Sequence, residues 1–250
     1  MASVGISIRR YVQDKYIFNF GQVEDVPVGK VLLLTAGYRE KNNTGHLYLG
    51  ARISFGNYFT WGYLGASAEY GTFFRRLHAE QGVFSASVNY FTGLLEIGKW
   101  TFRQFLKSNI TIGINRLSYE NMTLNDAYGI DGFTSPSLTG NSRLLITLQT
   151  QAYTPWNLLG FHIGPFFNYS IGMLSAASGG FKKSKLYSQI GLGFLLKNYY
   201  LFISTFQISV SYYPSMPGYG DNVFRFNSLN TYDYGFNDFE VGKPGIVNYR

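Results

Sequence analysis

From Trp100 to Ile114 nearly every second side chain is apolar: Trp100, Phe102, Leu106, Ile110, Ile112 and Ile114. Between them stand Thr101, Arg103, Phe105, Lys107, Asn109, Thr111 and Gly113, mostly polar or small. A strand sends successive side chains to opposite faces, so this pattern describes one oily face and one wet face. Soluble strands show such alternation for about five or six residues, and this run lasts about three times as long. At roughly 3.3 Å per residue it is long enough to cross a bilayer even when tilted.

The same pattern recurs along the chain and predicts roughly ten to twelve strands. The candidates are Val4–Arg10, Tyr16–Gly21, Lys30–Arg39, His46–Gly56, Phe59–Phe73, Gly82–Leu94, Lys99–Asn115, Ser142–Tyr153, Leu158–Met173, Leu186–Lys197, Tyr200–Tyr213 and Asn237–Arg250. In Lys30–Arg39, Leu32, Leu34, Ala36 and Tyr38 oppose Thr35, Gly37 and Arg39; in Tyr200–Tyr213 the apolar face carries Phe202, Phe206, Ile208, Val210 and Tyr212. The last candidate contains Pro244, which removes a ladder donor and suits an edge or terminal position. Tight joins (Asn57–Tyr58, Leu95–Gly98, Thr154–Asn157, Asn198–Tyr199) alternate with longer ones (Glu40–Gly45, Phe74–Gln81, Leu117–Asn141, Leu174–Lys185, Pro214–Phe236). Outer-membrane barrels sort their loops in this way, short on one side and long on the other. The expected fold is therefore all-β, an antiparallel transmembrane β-barrel formed as one domain over residues 1–250.

Composition agrees with that expectation. Charged residues make up 14% and aromatics 18%, which suits a wall facing lipid with aromatic girdles. The mean hydropathy of −0.05 is low for a helical membrane protein, and no run of about 18 apolar residues exists to form a spanning helix. The absence of cysteine says little about compartment. Met1 to Gly5 lacks the pattern of a secretion signal, so an outer-membrane location implies that one has been removed or that the chain is a piece of a longer precursor. The net charge of +7 is scattered over loop residues such as Arg75, Arg76, Lys182, Lys183 and Lys185; it forms no stripe of the kind that binds nucleic acid.

Catalysis finds little support. His46, His78 and His162 are far apart, no metal-ligand spacing is present, and His162 and Ser170 lie too far apart on one strand to bond. The expectation is a protein that is not an enzyme and uses no cofactor or metal. The inward-facing Arg39, Arg52, Arg103, Lys107 and Arg143 fit ion pairs with Glu69, Asp238, Glu240 and loop acids better than an anion-attracting channel lining. Glu24 to Gly29 reads as a turn that launches a strand.

The loop Leu117–Asn141 carries Tyr128-Gly129-Ile130-Asp131-Gly132-Phe133, followed by Gly140-Asn141-Ser142-Arg143 and a strand ending Ala152-Tyr153-Thr154-Pro155. Then come Gly164-Pro165-Phe166-Phe167-Asn168-Tyr169-Ser170-Ile171-Gly172 and Tyr187-Ser188-Gln189-Ile190-Gly191-Leu192-Gly193. This order resembles the C-terminal barrel of the BamA/TamA outer-membrane assembly superfamily, most closely from Tyr128 to Tyr213. The resemblance implies a long extracellular loop tucked into the lumen, with strands following it to the C-terminus; the family barrel has sixteen strands, so this chain is expected to form either a smaller barrel or the C-terminal part of a larger one. It also implies a bacterial outer-membrane location, outer-membrane lipids around the wall, and nascent β-barrel or secreted proteins as substrates, with assembly-complex subunits as further partners.

The family's loop motif reads Val/Ile-Arg-Gly-Phe/Tyr, where this chain has Ile130, Asp131, Gly132 and Phe133. The arginine's acidic partners correspond to Gln151 and Ser170 here, so the whole set is absent together, and losing a whole buried set is nearly neutral where losing one member is not. A loop held differently follows, with Arg143, Gln151 and Ser170 as its candidate inward-facing partners. The resemblance further implies a seam between first and last strands that opens to an incoming strand, here assigned to Asp238, Phe239, Val241 and Pro244. A passive or structural pore, or a secretion pore for one dedicated partner, is the alternative.

Overall fold

The computed structural model describes residues 1–41, 43–76, 78–176, 180–201, 205–231 and 233–249. Its strands are β1 (Ala2–Lys15), β2 (Val23–Lys41), β3 (Thr44–Phe59), β4 (Gly62–Arg75), β5 (His78–Thr92), β6 (Leu95–Ile97), β7 (Trp100–Ile114), β8 (Ser142–Tyr153), β9 (Asn157–Leu158), β10 (Phe161–Ser175), β11 (Leu186–Lys197), β12 (Thr205–Met216) and β13 (Gly220–Phe226). All belong to one 13-stranded sheet, in which β6 and β9 are short ribbons on β7 and β10. Every pairing is antiparallel and joins strands adjacent along the chain, apart from those two ribbons. The sheet is open: β1 and β13 are its edges, and no ladder joins them among the described residues.

The alternation read from the sequence is the one that sorts the two faces. On β2, Leu32 and Leu34 are 54% and 55% exposed while Val31, Leu33 and Thr35 are buried. On β12, Ile208 is 59% exposed, and Ser209, Ser211 and Tyr213 are buried. The outer face is thus apolar and bare, and the inner face buries Arg103, Asn89, Gln149, Gln151, Asn168 and Gln189. A chain that folded by hiding its apolar face from water would do the reverse.

The sheet curls until its first hairpin meets its later strands. The tip between β1 and β2 folds over the inner face rather than continuing the ladder, so Tyr16–Gly21 is not a strand. Positive φ at Tyr16 (60°) and Gly21 (71°) turns the chain out of the sheet. Glu24–Gly29 is not a turn: it lies within β2, paired from Glu24↔Asp14 to Gly29↔Arg9, and the Glu24 carboxylate caps the preceding tip by accepting the N–H groups of Ile17 and Phe18 at 2.9 Å each. From there Tyr153 Oη donates to Tyr16 O (2.7 Å), and Phe20 N–H donates to Tyr199 Oη (2.7 Å).

Three further sequence expectations need correction. The joins at Glu40–Gly45 and Phe74–Gln81 are not long: pairing continues through Glu40↔Gly45 and Lys41↔Thr44, and through Phe74↔Ala79 and Arg75↔His78. Alternation fades there because both faces are polar, while the backbone ladder runs on. Pro214–Phe236 is not one long loop, since β12 turns at residues 217–219 straight into β13, and, that turn apart, only the described residues beyond Phe226 lie outside the sheet. Finally, Asn237–Arg250 is not a strand where it is described (237–249), so Asp238, Phe239, Val241 and Pro244 do not form a sheet edge. Positive φ at Phe239 (30°) and Gly242 (63°), with a proline that lacks an N–H, prevents a ladder. Phe202 and Arg250 lie outside the described residues.

Candidate functional site: an inner face filled by a loop and the C-terminal tail

Residues 115–141 fold inward over β8 to β12. The loop holds itself together through Ile130 N–H to Leu124 O (3.0 Å), Asp126 N–H to Phe133 O (2.8 Å) and Ser135 N–H to Asn125 Oδ1 (2.7 Å). Ile130 and Phe133 are fully buried with Met122, Leu124, Tyr187 and Tyr213. Gly172 on β10 makes room for them: a Cβ there would lie 2.8 Å from Leu124 and 3.0 Å from Ile130. Gly132 adopts φ +67°, and a Cβ on it would fall 2.3 Å from Tyr213 Oη. That hydroxyl donates to Asp131 O (2.5 Å), while the Asp131 carboxylate accepts Asn230 N–H (2.9 Å). Burial pushes the Asp131 carboxyl above its ordinary range, opposed by the Asn230 N–H and reinforced by Asp126.

Of the three inward partners expected for the loop, Arg143 reaches it: its guanidinium donates to Thr123 O (3.1 Å). Gln151 instead donates to Ala152 O (3.1 Å) and Gly164 O (3.3 Å). Ser170 bonds to Thr147 (3.0 Å) and Asn168 (3.2 Å) on the wall. The loop is therefore seated by apolar packing, the Arg143 hydrogen bond to Thr123 O and bonds within its own backbone.

The remaining inward cations have acidic or amide partners. Arg52 pairs with Glu69 at 3.3 Å and Lys107 with Asp233 at 2.7 Å. Arg39 donates to Gln81 (2.8 Å) and lies 3.9 Å from the Phe73 ring centre. Arg103, 1% exposed, forks onto Asp14 at 2.9 and 3.2 Å. Of these acids, Asp14 went unread because its place on the inner face depends on a hairpin whose tip folds across the sheet. His162 stacks on Phe20 (5.7 Å), packed into that same tip.

The second inward element is the tail beyond β13. Leu229 O accepts from Gln207 (2.9 Å), Tyr234 stacks on Phe105 at 3.9 Å with the rings 6° apart, and Phe236 packs edge-on to Tyr63 at 5.5 Å. Gly235 O accepts from Asn89 and Phe239 O from Ser7. Asp238 and Glu240 pair with Arg9. Val247 N–H donates to Tyr48 Oη (2.9 Å), and Tyr249 Oη bonds Asn141 Oδ1 (2.7 Å) beneath the Arg116 guanidinium. The Asp233 carboxyl sits below its ordinary range: burial raises it, and the Lys107 ammonium more than offsets that. Between loop and tail a polar cavity of ≈ 460 Å³ remains, lined by Asn89, Lys107, Asn109, Asp131, Arg143 and Asn230 among others.

No protein-family model matches the chain, and no curated protein sequence matches it either.

Proposed function

We propose that this chain forms the wall of a bacterial outer-membrane barrel of the BamA/TamA type, acting in insertion, assembly or translocation of outer-membrane proteins. The observation that carries the reading is the bare apolar outer face of the sheet, around a filled interior that buries charged and amide side chains alongside its apolar clusters. Such a face is satisfied by lipid chains, and at roughly 3.3 Å per residue strands of 12 to 19 residues are long enough to span them. The loop of residues 115–141, tucked over the strands that follow it, supports the assembly type over a passive pore, because loop and tail pack into the interior. The seam of such a barrel falls at the two free edges, β1 and β13, rather than at the tail. Its substrates on this reading are nascent β-barrel or secreted proteins, with assembly-complex subunits as accessory partners.

The test is reconstitution of the chain into liposomes, followed by addition of a urea-unfolded outer-membrane β-barrel protein and measurement of its protease-protected fraction over time. Faster folding than in empty liposomes is expected. Equal rates would remove the assembly reading, and a stable large current in planar bilayers would put a pore in its place.

A further inference from the structure

The tail is held as a ligand is held. Its main chain is gripped by side chains of the wall: Ser7 on Phe239 O, Asn89 on Gly235 O, Gln207 on Leu229 O and Tyr48 on Val247 N–H. Contacts of this kind read the main chain and ignore the side chains it carries. Selectivity comes from three aromatic sockets. Phe105 stacks Tyr234, the Tyr63 and Phe91 rings take Phe236, and a pocket beside Gly56 buries Phe239 completely with Val31 and Leu33. The Phe239 socket exists because Gly56 has no side chain, since a Cβ there would meet the Phe239 ring at 2.4 Å. Two cations flank the lane, Lys107 at Asp233 and Arg9 at Asp238 and Glu240.

We propose that the inner face from β1 to β7 is a cleft for an acidic polypeptide bearing aromatic side chains at relative positions 0, +2 and +5, and that the tail is its resident, displaceable occupant. Residues 242–246 are exposed, pair with no strand and include a glycine at φ +63°, so the segment after Phe239 lifts without breaking a sheet. The ion pair between Arg9 and Asp238 is also solvent-exposed, with side chains 32% and 72% accessible, and holds weakly. A tethered occupant has an effective concentration in roughly the millimolar range, so a competitor in trans displaces it only near that concentration unless the tail is weakened. The cleft is independent of insertion activity: a chain that inserts nothing still exchanges its tail.

The experiment uses the full chain in detergent. It has no native cysteine, so Val247→Cys supplies a single thiol, and its rate of reaction with a maleimide reports the seating of the tail. The probe is a synthetic peptide with the sequence of residues 233–241. Increasing peptide is expected to raise the labelling rate at least tenfold, and a peptide with alanine at all three aromatic positions is expected to leave it unchanged. Adding Phe239→Ala to the chain lowers the peptide concentration needed by at least tenfold; should that variant not fold, Ser7→Ala serves with a smaller shift. A labelling rate that ignores peptide in both backgrounds overturns the proposal, because the tail is then fixed core. Labelling as fast as in urea-unfolded protein without any peptide overturns it too, because the cleft is then vacant.

Discussion

Gly132 offers a sharp test of how the inward loop is seated. Its φ of +67° is a left-handed conformation, and Gly132→Ala costs about 1–2 kcal/mol there from backbone strain alone. The new Cβ would also lie 2.3 Å from Tyr213 Oη and 2.5 Å from the Ser228 Cβ, an overlap worth about 1–3 kcal/mol in a packed interior. Moving Tyr213 to relieve it breaks the bond to Asp131 O, a further loss of about 1 kcal/mol. The expected total is about 3–6 kcal/mol. Gly98→Ala is the matched control: its φ is +63°, with nothing within 4 Å, so only strain applies. The assay is urea unfolding in detergent, followed by the fluorescence of Trp61, Trp100 and Trp156. A double-mutant cycle then locates the overlap, since Tyr213→Phe removes the hydroxyl and reduces the cost of Gly132→Ala by about 0.5–1 kcal/mol. If Gly132→Ala costs no more than Gly98→Ala, or the cycle is additive, the loop does not sit on Tyr213.

Two aspartates should bend the pH dependence of stability in opposite directions. Asp131 is raised by burial, so its contribution is present below the ordinary carboxylate pKa and lost as pH rises through the folded value; Asp131→Asn is therefore more stable than the parent at neutral pH, and the gain vanishes below about pH 4. Asp233 is lowered by Lys107, so its contribution is present at neutral pH and lost on acidification; Asp233→Asn flattens the acid limb of the same urea midpoint profile. Asp14→Asn leaves the Arg103 guanidinium, 1% exposed, without its carboxylate and costs about 3 kcal/mol in urea unfolding, part of which Arg103→Met in the same chain restores. Leu32→Arg, at a position 54% exposed on the outer face, costs about 2–4 kcal/mol in liposomes if that face meets lipid, and a chain equally stable with or without the charge would sink the membrane reading.

The face assignment was legible because strand geometry is local. Leu32, Leu34 and Ile208 point outward, and Thr35, Arg103 and Ser211 inward, as period two requires. Strand ends were less legible for a physical reason. Alternation stops at Arg39 and resumes at His46, yet hydrogen bonds carry the ladder to Lys41↔Thr44. Backbone pairing does not depend on side-chain polarity, so a strand whose faces have both turned polar loses its signature without losing its partner. β13 was missed on similar grounds: seven residues, GDNVFRF, behind a three-residue turn offer too little alternation to stand out.

The tail was misread because its pattern encodes sockets rather than a sheet. Tyr234, Phe236 and Phe239 do not keep a period of two, and the step of three between Phe236 and Phe239 was the available signal. Each aromatic fits a gap that another part of the chain leaves: the Phe105 ring on β7, the Tyr63 and Phe91 rings on β4 and β5, and the missing side chain of Gly56 on β3. Those gaps come together only after the sheet has curled, so no window of sequence contains them. The same argument explains the loop. Its missing arginine and acids were visible residue by residue, but what holds it instead, the Tyr213 hydroxyl, the Asn230 N–H and the space above Gly172, comes from three elements distant in sequence. Removing an ionic set demands a replacement wherever the site stays buried, and here the replacement is shape: small residues opposite large ones, with main-chain groups taking part in the hydrogen bonds at Thr123, Asp131 and Asn230. Shape of that kind holds a loop or a tail through packing that can be undone without stranding a charge in the interior, which is the property an exchangeable plug requires.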